Sequence, residues 1–176
     1  MRRATATVLV VIVGALTIAA QDHSEWIKYT SPEGRYSVLV PTQPKLSSQD
    51  TTSADGDKVP QYLASSPDGN GVFMIGYFDY KPPVTFSLDK ARDAMLKAME
   101  ATLLGEDTVS LGGSPGRQLR LLAKTPDGQE FAVRARIYDV ATRVYVLQCI
   151  FPKAEDGLVV VEKCGKFIDS FRVEPR

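Results

Sequence analysis

The 176-residue chain sets 21 basic against 21 acidic side chains and holds one histidine and two cysteines. With no basic block and no aromatic-basic interleaving, these numbers argue against a nucleic-acid partner. A single histidine also argues against serine and cysteine hydrolases and histidine-rich zinc sites, each of which needs a positioned imidazole.

Met1-Arg2-Arg3 is a short basic start, Ala4 to Ala20 is an uncharged apolar run, and Gln21-Asp22-His23 restores polarity at once. These are the three parts of a secretory signal. Cleavage is expected after Ala20, with Ala19 as the second choice, leaving residues 21–176 as one domain. The competing reading is a retained anchor. A spanning helix needs about 20 predominantly apolar residues, and this shorter run is interrupted by Thr5, Thr7, Gly14 and Thr17. No cysteine follows it to make a lipoprotein, and Arg2-Arg3 reads as an ordinary n-region rather than a twin-arginine signal. The expected location is secreted or periplasmic, with no stable membrane span once the signal is removed.

The rest of the chain alternates short β-type runs with turn chemistry. Trp26 to Tyr29 and Tyr36 to Val40 flank Ser31-Pro32-Glu33-Gly34, and the pattern returns as Ser66-Pro67-Asp68-Gly69 and Thr125-Pro126-Asp127-Gly128. Proline pre-sets the turn and glycine accepts a positive φ. Further strands are expected at Leu46 to Thr52, Pro60 to Ser65, Val72 to Tyr80, Arg117 to Ala123, Phe131 to Asp139 and Val144 to Phe151. Pro60 lacks a donor and belongs at a strand start or an edge. Val72 to Phe78 and Val144 to Phe151 are apolar on both faces, which demands cover above and below the sheet.

Two helices supply that cover in this reading. The first runs from Leu88 to Leu104, capped by Ser87, with Asp89 complementing the dipole, Gly105 as terminator and a stripe of Leu88, Ala91, Met95, Ala98 and Thr102. The second runs from about Ala154 to Phe171, started by Glu155 or Asp156 and burying Val160, Cys164, Phe167, Ile168 and Phe171. The fold class expected is α+β: one antiparallel sheet flanked by helices, an α/β/α sandwich.

Chemistry is sparse. In an exported chain Cys149 and Cys164 invite a disulfide, and a loop of about 15 residues would stabilise by roughly 3 kcal/mol. Two buried free thiols acting as small apolar residues fit the same positions equally. His23 stands close to the expected new terminus, where nothing fixes it. Asp79, Glu130, Asp139 and Glu155 are scattered carboxylates with no spacing that joins two of them for glycoside hydrolysis. Asp55 and Asp57, or Asp68 with Asn70, look like ordinary turn residues rather than a calcium loop. Gly112-Gly113-Ser114-Pro115-Gly116 lacks the lysine and the following helix of a phosphate loop and reads as a turn. No cofactor, metal or catalytic residue is expected. Trp26, Tyr29, Tyr36, Phe73, Tyr77, Phe78 and Tyr80 enrich the first half, chiefly as core on a sheet. Tyr80, beside Pro82-Pro83, is the member expected to be exposed for binding.

Several stretches carry a resemblance. Tyr29-x-Ser31-Pro32-x-Gly34-Arg35-Tyr36-Ser37-Val38-x-Val40-Pro41 stands in the first half. Gly113-x-Pro115-Gly116-Arg117, Arg136-Ile137-Tyr138, Arg143-x-Tyr145-Val146-Leu147 and Phe167-Ile168-Asp169-Ser170-Phe171 follow in the second. Over about residues 25–173 the chain resembles the PsbP-like and Mog-type fold group, which includes small bacterial secreted domains of unknown function. The resemblance implies an antiparallel sheet sandwiched by helices and a non-enzymatic protein that works by binding other proteins, with no particular partner and no site residue.

The functional expectation is an exported, non-catalytic binding or accessory domain that contacts an unidentified protein partner. Its rivals are a carboxylate-dependent, carbohydrate-active hydrolase and a purely structural envelope protein.

Overall fold

The computed structural model describes residues 25–52, 58–83 and 85–174. The signal segment, His23 and the Asp55–Asp57 pair lie outside them. In chain order the elements are β1 (Ile27–Ser31), β2 (Tyr36–Val40), β3 (Lys45–Thr52), β4 (Lys58–Asp68), β5 (Gly71–Asp79) and α1 (Leu88–Ala98). There follow β6 (Thr102–Leu111), β7 (Ser114–Lys124), β8 (Glu130–Val140), β9 (Arg143–Pro152), a 3-10 turn (Lys153–Glu155), α2 (Leu158–Asp169) and β10 (Arg172–Val173).

Seven antiparallel strands form the main sheet in the order β3-β4-β5-β9-β8-β7-β6, and β1, β2 and β10 form a second sheet in the order β1-β2-β10. The two runs that are apolar on both faces, β5 and β9, are neighbours at its centre. Side chains alternate along them between two cores. Phe73, Ile75 and Tyr77 of β5 and Tyr145, Leu147, Cys149 and Phe151 of β9 join one buried cluster with Tyr36, Val38, Val40 and α2. On the opposite face, Val144 joins Leu119, Leu121, Val133, Ala135 and Ile137, and the apolar side of α1 packs there.

The expected α/β/α sandwich is overturned. Among the described residues the molecule is mostly antiparallel strand, with two helices and a separate second sheet. One face is covered by that three-stranded sheet beside α2, and the other by an 11-residue helix that buries none of its own residues. Two local features account for the difference. Residues beyond Ala98 leave the helix through Glu100, at φ 47°, and become β6, so Thr102 and Gly105 are strand residues rather than a helix end. The hairpin of β1 and β2 turns away from the main sheet and takes β10 as its third strand.

Other expectations hold more closely. Ser87 caps α1 by accepting from the Lys90 amide, and Asp89 stands in the first turn. Val160, Cys164, Phe167 and Ile168 are the buried face of α2, although that helix starts at Leu158 with Gly157 as an N-cap that offers no side chain. Pro60 lies inside β4, yet β5 pairs with β4 only from Tyr62 onward, so on that flank no strand partner loses a bond. Gly112 and Gly113, at φ 56° and 87°, make the two-residue turn between Leu111 and Ser114. No helix among the described residues is long and apolar enough to cross a membrane.

Candidate functional site

The register of the main sheet lines up tyrosines across four strands. Tyr138 of β8 pairs with Tyr145 of β9, Tyr145 with Tyr77 of β5, and Tyr77 with Tyr62 of β4. Directly paired residues project from the same face, so the four rings form one row. The row passes from a closed to an open environment. Tyr138, Tyr145 and Tyr77 are 3%, 1% and 7% exposed, whereas Tyr62 is 44% exposed. Tyr62 stacks on Tyr77 with ring centroids 5.0 Å apart, and its cross-strand neighbour on the outer side is the small Ser48 of β3.

The second sheet stops short of that outer end. Tyr36 of β2 stands over the row at 6.2 Å from Tyr77 and 6.1 Å from Tyr145, and Tyr29 of β1 lies beside Tyr36 at 6.0 Å. Between this overhang and strands β3 and β4 an open cleft of about 400 Å³ remains. Leu46, Tyr62, Ala64 and Tyr77 lie on its floor side, and Tyr29, Ser31 and Tyr36 on its wall. Leu46 is 69% exposed there, an apolar side chain left in water.

Glu33, Asp79 and Arg143 close the end of the cleft. Arg143 lies directly opposite Asp79 in the β5–β9 pairing and grips it with both prongs, Nε to Oδ1 at 2.6 Å and Nη2 to Oδ2 at 2.7 Å. Its remaining Nη1 donates to the Glu33 carbonyl at 2.8 Å, and its guanidinium lies 4.6 Å over the Tyr77 ring. Tyr145 donates to the Gly34 carbonyl at 2.8 Å. The tip of the β1–β2 hairpin is thus fastened to the main sheet by two side chains of β9.

These contacts set the ionisation of the site. The Arg143 hydrogen bonds hold the Asp79 carboxyl below its usual range, while burial raises the Tyr36, Tyr77 and Tyr145 hydroxyls. A carboxylate held ionised by a bidentate arginine is unsuited to act as a general acid at neutral pH. The other carboxylates singled out in the sequence are far apart in role. Asp139 accepts from Tyr80, Glu130 pairs with Lys124, and Glu155 accepts from Asn70. Asp68 accepts from Lys163 at 2.6 Å. Among the described residues no three metal-ligating side chains gather.

Tyr80 is not in the cleft. It lies on the α1 side, stacked on Phe86 at 5.9 Å, and donates to Asp139 at 3.0 Å and to the Ala141 carbonyl at 2.7 Å. Cys149 and Cys164 are both buried free thiols. They touch each other, and burial raises the Cys149 thiol far above its ordinary range. Sequence reasoning gave Tyr62, Leu46 and Arg143 no role in a site, naming Leu46 only as a strand start and Arg143 only within the resemblance. The signal that would have found Arg143 is its cross-strand partner Asp79, which is visible only once β9 is known to lie beside β5.

The fold formed by the two sheets is PsbP-like. The structure that shows it is cyanobacterial PsbP (CyanoP) from Synechocystis sp. PCC 6803, similar at a TM-score of 0.62 and 13% identity over 91% of this chain and 96% of that one. Weaker likenesses are to PA94 of Pseudomonas aeruginosa, described as a protein of unknown function and putative regulator, and to a protein of Bacteroides thetaiotaomicron VPI-5482. The first has a TM-score of 0.48 at 13% identity over 86% of this chain and 97% of that one. The second has a TM-score of 0.48 at 17% identity over 85% of this chain and 48% of that one. No family model matches the chain, and no curated protein matches it in sequence. At 13% identity the likeness to CyanoP describes the backbone arrangement alone.

Proposed function

We propose that this chain is an exported, non-catalytic binding domain that holds a partner protein in the tyrosine-lined cleft. The observation that carries the reading is the composition of that cleft: exposed Leu46 and Tyr62 beside buried tyrosines, with the one ion pair at its end already satisfied within the protein. Rigid aromatic and apolar surface with a few polar groups at the rim is what recognition sites use. The basic, apolar and polar parts of residues 1–23 support export.

The test is affinity capture in the exporting cell, comparing the wild-type chain with Tyr62→Ala. The wild type is expected to recover one defined protein in constant ratio, and Tyr62→Ala to lose most of it with its far-UV spectrum unchanged. Equal recovery by both chains, or none by the wild type, overturns the reading.

A further inference from the structure

Toward its β6 edge the main sheet carries charge rather than rings on the face of the tyrosine row. Arg120 of β7 lies directly opposite Arg134 of β8, and Gly105 of β6 lies directly opposite Arg120. Arg134 stands four residues before Tyr138 on β8, so the two arginines and Gly105 share the face of the tyrosines. Like charges directly opposed across a strand pair are unfavourable. The protein neutralises only one of the two. Arg134 donates from Nη2 to Asp156 Oδ1 at 2.7 Å. Among the described residues Arg120 meets no carboxylate. Its guanidinium lies over Gly105, in the space that a Cβ there would need.

Both arginines line a cavity of about 70 Å³ with Leu104, Leu122, Lys153 and Asp156. The 3-10 turn after β9 and its C-cap supply the last two, and Lys153 Nζ donates to Asp156 Oδ2 at 3.0 Å. Three cations against one carboxylate leave the lining at +2. One donor is also stranded. Arg134 Nε is closed off from water and meets no acceptor among the described residues. Arg117 Nε shares that isolation only nominally, because the Glu106 carboxylate lies 2.9 Å from it. A shielded donor without an acceptor destabilises, so Arg134 brings to the cavity a bonding capacity that the chain leaves unused.

We propose that this cavity is an anion site and that its ligand is hydrogen phosphate. Guanidinium forks match the paired oxygens of a phosphate, and the doubly negative ion balances the +2 lining. The volume is about twice a water molecule's share of the liquid, which suits one compact oxyanion and shuts out a ring. Asp156 sets the choice among oxyanions. Burial pushes its carboxyl up, but the hydrogen bonds from Lys153 and Arg134 outweigh that and hold it below the usual range. An ionised carboxylate only accepts. Hydrogen phosphate brings the O–H that it needs, whereas sulfate brings none and is repelled. The site stands independently of what the tyrosine cleft holds.

Isothermal titration calorimetry of the purified protein with inorganic phosphate, and with sulfate at the same ionic strength, tests the proposal. Arg120→Gln and Asp156→Asn are the variants. Arg120 is exposed, so its change leaves the core untouched. The wild type is expected to bind one phosphate per chain, and sulfate on the order of tenfold more weakly. Arg120→Gln is expected to lose phosphate affinity on the order of tenfold with its urea unfolding curve unchanged. Asp156→Asn removes the repulsion and is expected to narrow the gap between the two anions. No saturable phosphate binding by the wild type overturns the proposal, as does an Arg120→Gln chain that binds phosphate equally well. Equal wild-type affinity for phosphate and sulfate would mark an adventitious ion only and overturns it too, as does a gap that Asp156→Asn leaves unchanged.

Discussion

Arg143 shows how much one residue carries here. It neutralises Asp79, holds the Glu33 carbonyl and lies over Tyr77, so its loss would free the hairpin tip as well as the end of the cleft. Gly34 works beside it. The left-handed position in that turn is Arg35, at φ 52°, so Gly34 is not required for its backbone angle. It is required for space, since a Cβ there would lie 2.5 Å from the Tyr36 ring. The Asp79–Arg143 pair also predicts a pH dependence. Asp79 titrates lower in the folded chain than in the unfolded one, so its contribution is present above an unfolded value of about 3.9 and fades as pH falls through the folded value. Half the carboxylate is in water, so Asp79→Asn is expected to cost only about 0.5–1 kcal/mol at neutral pH. Urea titrations of wild type and variant should begin to converge below pH about 3.9 and draw closer toward pH about 3. A gap that stays constant down to that pH would show that the pair does not stabilise the fold.

At the scale of elements, the strands were the most legible part. Runs such as Val144 to Phe151 declare themselves because both alternating faces are apolar, and the structure places β9 at the centre of the main sheet. Strand β6 was not legible. Leu103 and Leu104 followed by Gly105 read as a helix end, and only the pairing with β7, bulge included, makes them strand. The cleft was illegible for the same reason: Tyr62, Tyr77 and Tyr145 are far apart in sequence and meet only through register. The buried face of α2 was readable from helical spacing, and Cys164 lies on it against Cys149 of the central strand. Refolding the denatured chain with glutathione disulfide, when both thiols are accessible, is expected to join them, their two hydrogens passing to glutathione, and to stabilise the fold by about 3 kcal/mol. Mass spectrometry after alkylation under denaturing conditions reads the result. Two alkylated thiols after exposure to the oxidant would assign both to packing alone.

For the whole molecule, the arrangement separates the buried cores from the open cleft. Two apolar cores secure the main sheet from opposite sides. The second sheet covers only part of one face, and the uncovered remainder at β3 and β4 is where aromatic and apolar surface meets water. The most direct measurement of the proposed recognition role places a photo-reactive phenylalanine analogue at position 62 and, separately, at Asp127 in the distant β7–β8 turn. After illumination in the exporting cell, position 62 is expected to yield a covalent adduct with one partner protein, and position 127 none. Adducts of equal yield and identity from both positions, or none from position 62, would contradict the account.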